Sequence, residues 1–340
     1  MSKPSIWYLP SPSHTEKVFG DGLYERFMEN FNVTANPDET AYTVEEIEAS
    51  IAEYDGVVSG WGTRPISDIA LKNAQRLRIV AHSAGSVKYL FTDQGVADQL
   101  IPRDICVVSA NRAIALNVAE HTVGALIAVS RQWANQAQHI RESGIWNEMS
   151  PPKHTAFLRG ATVGLVSAST VGREVINLLQ PFDVNILIYD PLLTDWEAGH
   201  LGVSKVELND LFSRADMVSV HAPSIPETRH MIGLAQLELL RDGAVFINTS
   251  RGSVIDHDAL YEAASTGRIH VHLDVTEPEP LPADHRLRFL ENVMITPHTS
   301  GSGAFGYHQI GQIIMSALEE FFHGTVVAGR VRLDSWAQLA

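Results

Sequence analysis

Thr162-Val-Gly-Leu-Val-Ser-Ala-Ser-Thr-Val-Gly-Arg-Glu-Val-Ile176 carries an apolar run, a small polar turn and then a helical spacing of apolar residues. This is the outline of a strand, a tight turn and a helix start. In doubly wound α/β proteins that turn is built as G-x-G-x-x-G. The first glycine serves the turn, the second admits a close backbone approach, and the third allows helix–strand packing. Here the three positions are Ser167, Ser169 and Gly172, so only the packing glycine is present. Ser167 must accept the turn with a Cβ, and Ser169 narrows the approach while offering a hydroxyl. An ordinary strand–helix turn has the same outline, so the loop needs support from its surroundings.

Working outward, the next apolar run, Val184–Tyr189, ends in Asp190. A carboxylate there can accept both ribose hydroxyls of a dinucleotide and repels a 2′-phosphate, which favours NAD over NADP. The alternative for Asp190 is a turn residue before Pro191. Further strands are expected at Val163–Ser167, Met217–Val220, Val245–Asn248, Val271–Val275 and Val293–Thr296, separated by helical stretches. Upstream, Ser5–Leu9, Phe31–Ala35, Gly56–Ser59, Leu77–Ala81 and Ile105–Ser109 form an earlier series of strands. Tyr24–Phe31, Thr43–Glu53 and Ile66–Asn73 are the helices between them. Strands alternating with helices imply parallel pairing by right-handed crossovers, hence two doubly wound α/β sheets.

A long helix is expected over about Leu116–Arg141, with Val118, Thr122, Leu126, Val129 and Trp133 on one apolar face. That face is either core or a dimer interface. A polar, Pro-bearing stretch (147–159) separates the two series, and a last helix spans Phe305–Phe322.

The whole chain of 340 residues suits two domains at roughly 100–200 residues each. It carries 25 Lys+Arg against 40 Asp+Glu, a formal charge of −15, which repels nucleic-acid phosphates and anionic membranes. One cysteine, Cys106, cannot make an internal disulfide and fits a reducing compartment. The N-terminal segment has no long apolar stretch of the signal-peptide kind, and no window approaches 18 uninterrupted apolar residues. A cytoplasmic protein, not a membrane protein, is expected.

Three motifs downstream carry chemistry. They are Val218-Ser-Val-His-Ala-Pro-Ser-Ile-Pro-Glu-Thr-Arg229, Phe246-Ile-Asn-Thr-Ser-Arg-Gly-Ser-Val-Ile-Asp256, and Leu273-Asp-Val-Thr-Glu-Pro-Glu-Pro280 followed by Thr296-Pro-His298. In this order, and with the loop above, they closely resemble the D-isomer-specific 2-hydroxyacid dehydrogenase family. The resemblance runs from about Val80 to Gly311. It implies a Rossmann NAD-binding domain (116–301) inserted in a flavodoxin-like substrate domain (1–115 with 302–340). It also implies an NAD(H)-dependent oxidoreductase acting on a small D-2-hydroxy or 2-oxo acid, and a homodimer formed through helix 116–141.

Reducing a 2-oxo acid takes a hydride at the carbonyl carbon and a proton at its oxygen, and histidine suits the proton. By resemblance His298 is the catalytic histidine. Its carboxylate partner, which orients the ring and favours imidazolium, is Glu277 or Glu279; the family's count of five residues after Asp274 selects Glu279. Arg251 supplies a planar fork for the substrate carboxylate and carbonyl oxygen. Taken singly, each of the three is as readily an ion pair, a loop histidine or a solvated acid.

The cofactor contacts so implied are Ser169, Thr170, Val171, Gly172 and Asp190 on the loop and second strand. His221, Pro223, Thr228, Thr249, Ser250, Asp274, His298 and Ser300 complete them, with Asp274 on the nicotinamide amide. In the first domain His82-Ser-Ala-Gly-Ser-Val-Lys88 resembles the loop whose amides receive the substrate carboxylate. Ala84, Gly85 and Ser86 are the donors there, and Trp61 contributes to substrate selection.

Ile114 stands where the family usually has asparagine, and Ser86-Val-Lys88 replaces the usual Gly-Tyr-Asp. Period-two spacing puts His270, His272 and Asp274 on one strand face, a metal site in outline, but no further ligand is near and no metal is expected. Gly301-Ser-Gly303 lacks the Lys-Ser/Thr of a P-loop. Glu279 argues against a formate dehydrogenase, which has glutamine there. The remaining alternative is a cofactor-sensing, corepressor-like binding protein on the same scaffold, suggested by the altered serine loop.

Overall fold

The computed structural model describes residues 3–20, 22–144, 146 and 157–339. The chain divides into two compact units, Met1–Ile114 with Ser302–Ala340 and Ala115–Gly301.

The first unit is built on β1 (Ser5–Tyr8), β2 (Asn32–Ala35), β3 (Gly56–Ser59), β4 (Ile79–His82) and β5 (Cys106–Ser109). All pair in parallel in the order β2-β1-β3-β4-β5. That is the flavodoxin-like order, doubly wound about β1 and β3. Alternation along each strand divides the core between two faces. Trp7, Val57, Val80 and Val107 pack on one side with Ile47 and Leu71, and Ile6, Tyr8, Val58 and Ile79 pack on the other with Phe27, Ile314 and Leu318. Local signals fix the helix starts. Thr43 and Glu46 form a reciprocal capping box, and Ser67 caps the helix Asp68–Asn73. A helix at Pro12–Val18 lies where no helix is expected from periodicity. It starts with Pro at its first position, which the fixed φ of proline favours.

The second unit has β6 (Thr162–Val166), β7 (Asn185–Tyr189), β8 (Ser204–Lys205), β9 (Met217–Val220), β10 (Val245–Asn248), β11 (His270–Leu273) and β12 (Val293–Ile295). Their order is β12-β11-β10-β9-β6-β7-β8, all parallel. Counted from β6 this is the Rossmann order 3-2-1-4-5-6 with a seventh strand added, and its switch point lies between β6 and β9. The two-residue edge strand β8 is too short to show in periodicity.

The helix expected over Leu116–Arg141 is two helices, Asn111–Ser130 and Trp133–Ser143. The break falls at Gln132, in left-handed conformation (φ 52), whose side chain reaches His270 at 3.0 Å. The apolar face is spent inside the chain, since Val118, Thr122, Leu126 and Val129 are all buried while Trp133 is 56% exposed. Asn111–Ser130 has the length and hydropathy of a membrane span, yet just over half of it is buried within the protein. Most of the polar stretch 147–159 lies outside the described residues.

Candidate active site

Ser167 follows β6 with a φ of +85°, the left-handed region that glycine enters without strain. Its carbonyl lies under the helix Thr170–Leu179, and a Cβ on Gly172 would sit 2.3 Å from that oxygen. The third fingerprint position must therefore be glycine. Ser169 is the N-cap, accepting from the Gly172 N–H at 3.3 Å. Its oxygen thus accepts from the helix, and its O–H remains available to donate. The first-turn amides of Thr170 and Val171 have no acceptor within the helix and form the anion-binding end.

Asp190, at the end of β7, is already engaged. Its Oδ2 accepts from Ala168 N (2.8 Å) and Ser167 Oγ (3.2 Å), and its Oδ1 accepts from Leu192 N (2.8 Å). The carboxylate is thus partly engaged within the protein, chiefly at the oxygen facing the serine loop.

His221, after β9, is buried and both ring nitrogens lack a partner among the described residues. Burial pushes its imidazole down to about 3, so it is neutral at physiological pH. Its Cβ lies 3.8 Å from the place a Cβ on Gly172 would take. Two orphaned polar atoms beside a helix N-terminus fit a polar ligand lying over the β6–helix turn. Thr228 closes the following turn, donating to Pro223 O (2.5 Å) and accepting from Ile225 N (3.1 Å).

The catalytic candidates stand at the ends of β10 and β11 and after β12. Asn248, a buried residue that sequence reasoning did not single out, shapes the first turn. Its amide donates to Arg251 O (3.0 Å), and its Oδ1 accepts from Ser250 N (3.0 Å) and Ser250 Oγ (2.8 Å). Thr249 turns inward to Thr122 at 3.1 Å, and Arg251 donates to Ser250 O at 2.7 Å. Gly252 is also missed by sequence reasoning. A Cβ there would lie 2.1 Å from the carbonyl of Thr276, so the arginine turn rests directly on the backbone leading to Glu279. A glycine immediately after a candidate arginine is the signal that could have found it.

Glu279, not Glu277, is the carboxylate against His298, with Oε1 2.5 Å from Nδ1. Glu277 is occupied by Arg229 (3.0 Å) and His230 (3.2 Å). Burial pushes the Arg251 guanidinium below its ordinary value, and the nearby Glu279 charge offsets part of that. Roughly half of the His298 side chain is open to solvent (47%), as a proton carrier requires. His298 has a φ of +52°, unusual for a residue with a Cβ.

Asp274 explains how that backbone is held. It has left β11 and lies 1% exposed beneath the histidine loop. Its Oδ1 accepts from Thr296 Oγ1 (2.5 Å) and Thr299 N (2.9 Å), and its Oδ2 from Ser300 N (2.8 Å). The His298 N–H donates to Asp274 O at 2.9 Å. Burial alone would raise the Asp274 carboxyl, but the bonds from Ser300, Thr296 and Thr299 outweigh it and hold the group below its ordinary value. His270 and His272 are engaged by Gln132 (3.0 Å) and His121 (2.9 Å), while the Asp274 carboxylate is taken up by the histidine loop. Among the described residues no three His, Cys, Asp or Glu side chains are arranged for a metal ion.

In the first unit, Ala84 is buried at the end of β4, and Gly85 O accepts from Ser109 Oγ at 2.5 Å. Ser86 Oγ accepts from Lys88 N at 3.1 Å. Ile114 packs where a Cβ on Gly85 would lie 3.3 Å from its Cδ1. Trp61 is 43% exposed, its ring edge-on to His14 (5.1 Å) and Tyr307 (5.5 Å). Below it His14, Ser83 and Ser59 O form a buried chain of hydrogen bonds.

Comparison with known proteins agrees with this geometry. The chain is 32% identical over 301 residues to the D-3-phosphoglycerate dehydrogenase of Methanocaldococcus jannaschii, covering 88% of this chain and 56% of that one. It therefore spans about half the length of that relative. It is 31% identical to the glyoxylate reductase of Korarchaeum cryptofilum, with 92% of each chain covered. The fold is also that of Rhodotorula graminis D-mandelate dehydrogenase, with a TM-score of 0.83, 21% identity, and 97% and 98% of the two chains covered. Residues 123–300 match the family model described as D-isomer specific 2-hydroxyacid dehydrogenase, NAD binding domain. A Rossmann sheet, a packed third-glycine turn and a histidine seated on a glutamate thus meet in one unit, and the chain belongs to the D-isomer specific 2-hydroxyacid dehydrogenase family.

Proposed function

We propose that this protein is an NAD(H)-dependent oxidoreductase interconverting a small D-2-hydroxy acid and its 2-oxo acid. The observation that carries the reading is the His298–Glu279 pair at 2.5 Å, with Arg251 in the same electrostatic cluster. A bound nicotinamide would supply the hydride for reduction and take it up in oxidation. Glu279 commits Nδ1 of His298 and fixes the ring, so Nε2 is the nitrogen that passes a proton to the substrate oxygen or takes it back. The two half-reactions balance: one hydride at carbon and one proton at oxygen turn a carbonyl into an alcohol. Arg251 holds the carboxylate and polarises the carbonyl with the donors that Ser250 O leaves free.

The cofactor contacts in this reading are Ser169, Thr170, Val171 and Gly172 on the first turn and Asp190 after the second strand, with His221, Pro223, Thr228, Thr249 and His298. Ser250, Asp274 and Ser300 lie toward the nicotinamide end, and the carboxylate of Asp190 favours NAD(H) over NADP(H). In the other unit, Ala84, Gly85 and Ser86 receive the substrate carboxylate and Trp61 selects the side chain. A cytoplasmic homodimer is part of the proposal. Its support is the exposed Trp133 (56%) and Ile140 (41%) on the helix Trp133–Ser143, in place of the buried face expected from sequence.

The test is NADH oxidation with glyoxylate, hydroxypyruvate, pyruvate and bulkier 2-oxo acids, repeated with NADPH. Turnover of at least one acid, faster with NADH, is expected. NADH binding without turnover of any acid would move the reading to a cofactor-sensing protein. A monomeric mass by light scattering at micromolar concentration counts against the dimer.

A further inference from the structure

The serine at the first fingerprint position does more than tolerate the turn. An ionised carboxylate offers about four acceptor sites, two on each oxygen. On Asp190, Ala168 N and Ser167 Oγ fill both sites of Oδ2, and Leu192 N fills one of Oδ1. One site remains, whereas an adenosine ribose presents two adjacent hydroxyls. The three protein donors are not equally held. The two amides lie at 2.8 Å, a short N–H···O distance, while the Ser167 hydroxyl lies at 3.2 Å, long for an O–H···O bond. The serine hydroxyl is therefore the donor that gives way. A glycine, the usual residue for a φ of +85°, would bring no hydroxyl to this place at all.

We propose that Ser167 sets the affinity for the dinucleotide, its hydroxyl occupying the acceptor site on Asp190 that a ribose hydroxyl needs. The inference rests on the assignment of Asp190 to the adenosine ribose. Binding of NADH exchanges one hydrogen bond to Oδ2 for another, and the net gain from that contact is lost. A 2′-phosphate is repelled by the Asp190 charge with or without the serine, so the hydroxyl lowers the preference for NADH over NADPH as well as the affinity for NADH.

The experiment is titration of the intact protein with NADH and with NADPH, by calorimetry or nucleotide fluorescence, for wild type, Ser167→Ala and Ser167→Gly. Freeing one charged acceptor site should tighten NADH roughly five- to tenfold in both variants and leave NADPH nearly unchanged. Ser167→Gly also removes the left-handed strain, so it carries the test if Ser167→Ala does not fold. NADH binding that is unchanged or weaker in the variants overturns the proposal; weaker binding of both nucleotides would assign the hydroxyl to holding the loop. If wild type binds neither nucleotide, the ribose assignment and this inference fall together. If it binds NADH and the variants bind it no tighter, only this inference falls.

Discussion

Asp274→Asn separates a carboxylate that orders the His298 loop from one that merely lines it. The carboxylate accepts three hydrogen bonds, from Thr296 and Thr299 on one oxygen and Ser300 on the other. Asparagine keeps one acceptor oxygen and presents an NH₂ in place of the second. Turned to keep Thr296 and Thr299, it sets donor against donor at the N–H of Ser300, a residue only 3% exposed. The lost bond to a charged acceptor costs about 1.5–3 kcal/mol, and the two remaining bonds weaken from charged to neutral acceptors. Relief from burying a charge offsets part of this, but the carboxyl sits below its ordinary value, so the bonds outweigh the burial. A net loss of about 3 kcal/mol is expected near neutral pH.

Urea unfolding followed by far-UV circular dichroism measures it, with NADH turnover reporting the seat of His298. The dependence on pH has a definite sign. Because the folded carboxyl lies below its unfolded value of 3.8, its contribution is complete above about pH 4 and disappears as the pH falls through the folded value. The gap between wild type and variant should hold steady from pH 7 to 5 and narrow below 4. A variant within about 0.5 kcal/mol of wild type at pH 7, which is ordinary for a surface change, would refute the account of the loop.

Two further outcomes are expected. His298→Ala should lose on the order of 10²–10⁴ in turnover on the best 2-oxo acid while its NADH titration stays close to wild type; unchanged turnover would remove His298 from the chemistry. His14, His82, His221 and His272 are buried, and burial pushes them down to between about 3 and about 4. Their contribution is present above the ordinary value of 6.5 and is lost as pH falls toward 4, so stability should drop by on the order of 1 kcal/mol per histidine for each pH unit between those two values. Urea midpoints that stay flat between pH 7 and 5 would contradict their burial as neutral rings.

The sheets were legible because buried parallel strands leave continuous β-branched runs, and Gly56–Ser59, Met217–Val220 and Val245–Asn248 lie where those runs place them. The break at Gln132 was not, since a glutamine carries no turn signal and its conformation is held by His270, far away in sequence. Around the site, residue types that bear chemistry were readable: an arginine, two glutamates before prolines and a histidine in order. Which contacts bind them was not. Asn248 acts through bonds to Ser250 and Arg251 inside its own turn, and Thr296 through a bond to Asp274 that exists only once β11 and the histidine loop lie side by side. The serine loop shows the same limit, for its residues announced a departure from the fingerprint, while the engagement of Asp190 appears only in three dimensions.

Gly252 has a bearing on how this protein can be changed. With the arginine turn seated on the backbone of Thr276, the arginine and the glutamate cannot be repositioned independently. On the proposed reading, altering the turn to suit a larger acid would drag Glu279 and its histidine with it, so selection for new substrates is channelled away from residues 249–252. Libraries aimed at altered specificity should therefore leave the arginine turn untouched.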